Sequence, residues 1–102
     1  MWPNQTTVTP LLPDRVLLER LARRDATALV ELQRRHATSL YALAYGILMD
    51  AERAERVVAE AFEQVWFAAE PLRRRRSGPA AWLRQQVTER ARSLRGARKT
   101  VA

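Results

Sequence analysis

Apolar residues return every three or four positions along most of the chain, the period of a helix that buries one face and not the period of two of a half-buried strand. The clearest run is Leu29, Leu32, His36, Leu40, Leu43 and Ile47, with steps of 3, 4, 4, 3 and 4. Tyr41, Ala44 and Leu48 widen this stripe, so the segment is predicted to be a long helix at the centre of a bundle, capped by Asp25. Upstream, Val16, Leu17 and Leu21 point inward and Arg20, Arg23 and Arg24 outward, which predicts a short helix from a capping Asp14 to about Arg24. Downstream, Asp50 as cap and Glu52 in the first turn open a third helix. Its inner positions are Ala54, Val57, Val58, Ala61, Phe62, Val65 and Trp66, its outer ones Arg53, Glu55, Arg56, Glu60 and Glu63, and Pro71 is expected to close it. Pro79 suits the first turn of a fourth helix, where its missing N–H costs nothing. Ala80, Leu83, Val87, Ala91 and Leu94 form the inner stripe of that helix, and Gln85, Thr88, Arg92, Arg95 and Lys99 gather on the opposite face, with Gly96 expected to fray the last turn. The pattern predicts an all-α fold, a compact bundle of about four helices over 14–98, with a flexible arm at 1–13 and a tail at 99–102.

Composition narrows the chemistry. The 102 residues suit one small domain, and three glycines with five prolines leave few tight turns. With no cysteine there is neither a disulfide framework nor a thiolate zinc site, and a lone histidine offers little to an imidazole site. His36 lies in an apolar stripe with no second ligand at suitable spacing, and reads as a partly buried structural histidine. No nucleophile or acid–base pair is apparent, so neither an enzyme nor a metal or organic cofactor is expected. No apolar run approaches the roughly 18 residues of a membrane span, and the leader has neither a basic n-region nor an apolar h-region. The expectation is a cytoplasmic protein without a membrane partner.

Charge is distributed unevenly. Residues 1–70 hold eight arginines against ten carboxylates, whereas 71–102 hold ten cations against Glu89 alone, within an overall net charge of +7. One end of the domain is therefore expected to carry a positive field suited to a polyanion, with a solubilising basic tail as the plainer alternative. Arg73, Arg74, Arg75 and Arg76 are adjacent charges that repel one another, which predicts an exposed loop from Leu72 to Gly78. Arginine neutralises phosphate, and Gln, Thr and Arg can bond base edges, so this loop and the outer face of the fourth helix form a candidate nucleic-acid surface. Trp82 either offers a base a stacking surface or anchors the helix in the core. The charged face of the third helix is either a docking face or a solvated surface held by weak local pairs.

Taken in order, these segments resemble region 2 of the extracytoplasmic-function sigma factors. LLERLARRDATALVELQRRHATSLYALAYGIL, Leu17 to Leu48, resembles the opening of that helical region. AERVVAEAFEQVW, Ala54 to Trp66, is similar to the family's acidic third helix, and SGPAAWLRQQVTERARSLR, Ser77 to Arg95, to the loop and helix that meet the promoter. The resemblance implies that the third helix docks on the clamp helices of the largest subunit of core RNA polymerase, through positions that fall on Asp50, Arg53, Glu55, Arg56 and Glu60. It implies that the loop from about Arg73 to Gly78 receives a base flipped from the non-template strand of the minus-ten promoter element. The DNA set is then Arg73, Arg74, Arg75, Arg76, Trp82, Gln85, Thr88, Glu89, Arg92 and Arg95. An anti-sigma protein is a further partner of such a domain.

The chain departs from the family at Arg53 and Arg56, where acidic residues are usual, at Ala59, where glutamine is common, and at Glu89 and Ser93, which replace an asparagine and an aspartate. A full sigma factor of this type also carries a helix-turn-helix domain for the minus-thirty-five element, so the expectation is a domain cut from a longer protein. Three functions follow. The chain is a promoter-recognition domain joining polymerase to minus-ten DNA, or a sigma-like regulatory or decoy module that no longer docks productively, or a generic basic DNA-binding bundle.

Overall fold

The computed structural model describes the backbone of residues 12–101 and the side chains of residues 12–96. It is an all-α bundle of four helices: α1 (Asp14–Ala22), α2 (Ala26–Leu48), α3 (Ala51–Leu72) and α4 (Pro79–Val101). The arm expected at 1–13 lies, as far as Leu11, outside the described residues, and so does the side chain of Lys99. α2 packs along both α3 and α4, while α1 lies across α2 and α3. This leaves one cleft between α2 and α3, one between α2 and α4, and one between α3 and α4.

The core is apolar throughout, and no polar or charged residue among those described is buried. α2 contributes Ala28, Leu32, Leu40, Ala44 and Leu48, while Leu29, Leu43 and Ile47 of the predicted stripe are only partly buried against that core. α3 buries Ala54, Val57, Val58, Ala61, Phe62 and Val65 as its periodicity predicts, with Trp66 half-buried. α4 inserts Leu83, Val87 and Ala91. Fully buried alanines at 44, 61 and 91 let the three long helices approach closely, because a methyl group fills the contact where a larger side chain would hold the axes apart.

Four helix ends differ from the sequence reading, the simplest being that of α4, which continues through Gly96 to Val101 where a frayed last turn is expected. Pro13, and not Asp14, is the N-cap residue of α1. Asp14 lies in the first turn, where its carboxylate receives Arg35 at 3.0 Å and lies 2.7 Å from His36 Nε2, tying α1 to α2. A side chain engaged across the helix pair is not available to cap its own helix. α1 also stops at Ala22, because Arg24 takes a left-handed conformation with φ 68°. Its amide donates to Leu21 O at 2.8 Å and that of Asp25 to Arg20 O at 3.1 Å, the paired bonds of a Schellman ending. Glycine usually fills this position. The strain at Arg24 is offset by its guanidinium, which donates to Trp66 O at 2.6 Å and sits 4.9 Å over the Trp66 ring. Finally, Pro71 lies inside the last turn of α3, which runs on to Leu72. A proline this late removes only one ladder bond, and Arg73 N still reaches Ala69 O at 3.0 Å. The other caps follow the sequence: Asp25 accepts from Thr27 N, and Asp50 from Arg53 N, each at 3.1 Å.

Candidate nucleic-acid interface

The basic loop lies between Leu72, which is buried, and Pro79, which is also buried, so its two ends are anchored in the core. Between them the four arginines divide into two pairs. Arg73 donates to both oxygens of Glu70 at 3.0 and 2.9 Å and approaches Glu19 of α1 at 3.9 Å, and Arg74 reaches Glu70 at 3.1 Å. The hydrogen bond from Arg73, with the charges of both arginines, holds the Glu70 carboxyl below the ordinary carboxylate range. Arg75 and Arg76 are exposed, and neither has a carboxylate partner among the described residues. α1 braces this free half from outside, where Arg15 Nη2 donates to the carbonyl of Arg76 at 3.1 Å.

Along α4 the bundle brings Gln85, Thr88, Glu89 and Arg92 into one recess of about 420 Å³ against α2. Gln85 donates to Glu89 at 3.1 Å, which orients both side chains along the rim. Arg84 and Leu43 complete the lining. Sequence reasoning missed Arg84 for this site and placed Leu43 only in the core stripe, because the outer face of α4 was drawn without knowing that α2 runs beside it. Trp82 is half-buried against the core, and Arg95 is exposed further along the helix.

No protein-family model, curated protein or solved structure matches this chain.

The five positions that the resemblance implies for polymerase docking, on α3 and its cap, do not all share one surface. Asp50 is the N-cap, and Arg53 remains beside it at 3.8 Å. Glu55 turns toward α2, where it lines an apolar groove with Tyr41, Val58, Ala59 and Phe62. This groove continues past Leu29 and Glu63 to Trp66 and Phe67, and Phe67 is 64% exposed. Arg56 and Glu60 face the other way, into the α3–α4 cleft with Gln86, Glu89, Arg90 and Ser93. Glu89, assigned from sequence to DNA, therefore lines the same cleft as Arg56 and Glu60, assigned to polymerase. The apolar groove itself had a sequence signal in Phe67, a large apolar residue outside the inward stripe of α3.

Proposed function

We propose that this domain acts as a promoter-recognition domain of the extracytoplasmic-function sigma type, holding the opened non-template strand of a minus-ten element and joining it to core RNA polymerase. The observation that supports this reading best is the α2–α4 recess, directly downstream of a loop in which two arginines have no carboxylate partner among the described residues. Free guanidinium groups position a phosphate backbone, Gln85 and Thr88 offer donors and acceptors to base edges, and Leu43 gives an unstacked base an apolar wall. Extracting a base costs a few kcal/mol, least where the DNA is already open, so the work of the domain is binding energy and involves no covalent step. Polymerase contact belongs to the α2–α3 groove, whose apolar floor and acidic rim of Glu55 and Glu63 suit a helix with a basic, partly apolar face.

Fluorescence anisotropy tests the DNA half of the proposal. A single-stranded minus-ten-like oligonucleotide is expected to bind about tenfold or more tightly than the same sequence as duplex, with log affinity falling linearly as log salt rises. A flat salt response would remove the arginine loop from the mechanism. Equal binding of single strand and duplex would instead identify a generic basic bundle.

The separation of Glu55, which faces α2, from Arg56 and Glu60, which face α4, favours a second reading, a sigma-like regulatory or decoy module without productive polymerase docking. Arg53 and Arg56 stand at two of those positions. A pull-down with core polymerase separates the readings: capture of wild-type protein supports the promoter-recognition domain, and capture only after Arg53→Asp and Arg56→Asp supports the decoy.

A further inference from the structure

Among the described residues, one buried side-chain nitrogen has no hydrogen-bond partner: Nε of Arg90, a residue whose side chain lines the α3–α4 cleft. The Arg90 guanidinium meets Glu60 only through Nη1, at 3.4 Å. That is long for a charge-assisted bond, ordinarily about 2.7–2.9 Å, and it leaves the second arm of the fork unused. A buried donor without an acceptor carries a desolvation cost that a better-placed anion would remove. Arg56 lies one helical turn from Glu60, lines the same cleft, and has no carboxylate partner among the described residues. Gln86 and Ser93 add neutral donors. Two guanidinium groups thus share the cleft with two carboxylates, of which Glu60 is poorly seated on Arg90 and Glu89 accepts from Gln85 on the far rim.

We propose that the α3–α4 cleft is a second anion site, in which Arg56 and Arg90 hold a backbone phosphate of the bound nucleic-acid strand and Glu60 is a built-in competitor that the phosphate displaces. This rests on the reading that α4 holds such a strand. A phosphodiester presents two free oxygens, which the Arg90 guanidinium can meet once it turns from Glu60 and exposes Nε, while Arg56 meets them from α3. Glu89 lines both this cleft and the α2–α4 recess, so a strand crossing α4 from the recess enters the second cleft next. Displacement is cheap because the Glu60–Arg90 pair is partly exposed, at 44% and 32% of its side chains, and such pairs contribute little in water. The proposal also gives Arg56 a role as a phosphate ligand, at a position where the resemblance implies an acid.

The test is anisotropy of the full chain with a labelled, single-stranded AT-rich oligonucleotide over a range of salt. Glu60→Gln is expected to tighten binding about fivefold with the salt slope changed by less than about 0.7, because the phosphate contact is already made in wild type and only the competing carboxylate is removed. Glu63→Gln removes the same charge from α3 outside this cleft, and its gain should stay below about twofold. Arg90→Met keeps much of the packing without the donors, and should abolish the gain from Glu60→Gln. No gain from Glu60→Gln, an equal gain from Glu63→Gln, or a gain that survives in the Arg90→Met background would each overturn the site while leaving wild-type binding intact. Absence of wild-type binding would instead dismiss the parent reading. Should Arg90→Met fail to fold, the Arg90 Nε–H resonance decides the matter in wild-type protein: it shifts on titration with the oligonucleotide if a phosphate seats there, and stays fixed if none does.

Discussion

An Arg75→Gln, Arg76→Gln protein is expected to bind a single-stranded minus-ten-like oligonucleotide about tenfold or more weakly than wild type near 0.1 M salt, with a salt slope shallower by about 1.4. Both side chains are exposed and have no carboxylate partner among the described residues, so each can meet a phosphate without first breaking such a pair. Each such contact to a single strand releases about 0.7 counterion, which sets the change in slope. The matched comparison is Arg73→Gln, Arg74→Gln. Those two guanidinium groups already share Glu70, and Arg73 also approaches Glu19, so they contribute less to a bound strand. The expected loss is about two- to threefold, with a slope change well under 1. The two double variants remove the same formal charge. Equal losses would therefore show that only the overall field matters and that the pairing within the loop is irrelevant to binding.

Leu32→Ala is expected to cost about 2–5 kcal/mol in urea unfolding, enough to leave a marginal domain partly unfolded. Leu32 is fully buried on the helix that packs against the other three, so the cavity it leaves cannot open to solvent or collapse easily. Leu29 belongs to the same sequence stripe but packs only at the margin of the core, and Leu29→Ala should cost about 1–2 kcal/mol. The urea dependence of unfolding should keep its slope in both variants, because each changes packing and not the surface exposed on unfolding. A Leu32→Ala protein as stable as Leu29→Ala would mean that the bundle relaxes around α2 far more readily than close packing allows.

Much of this was legible beforehand, and the reasons are local. The caps at Asp25 and Asp50, the helical start at Pro79 and the inner stripe of α3 depend on neighbours within one or two turns, so residue type and spacing suffice. Asp14 misled for the opposite reason: it has the right chemistry for a cap, but Arg35 and His36, more than twenty positions away, claim its carboxylate. The arginine loop was visible as four like charges in a row. That Glu70 and Glu19 neutralise half of it required the end of α3 and the flank of α1 to be side by side. Arg84, Arg90 and Arg15 escaped notice because a helix has no flanks until its neighbours are placed.

Periodicity, capping chemistry and charge counts, read from the chain alone, determined that this protein is an all-helical bundle, most of the residues that fill its core, and that its cations gather toward the carboxy-terminal third. Only the tertiary structure decided which loop arginines are paired with carboxylates, that Glu55 faces α2 while Arg56 and Glu60 face α4, and that Glu60 and Arg90 meet across α3 and α4. The physical reason is range: helical hydrogen bonds and side-chain periodicity act over a few residues, whereas the pairing and burial of a charge depend on groups brought together from distant parts of the chain.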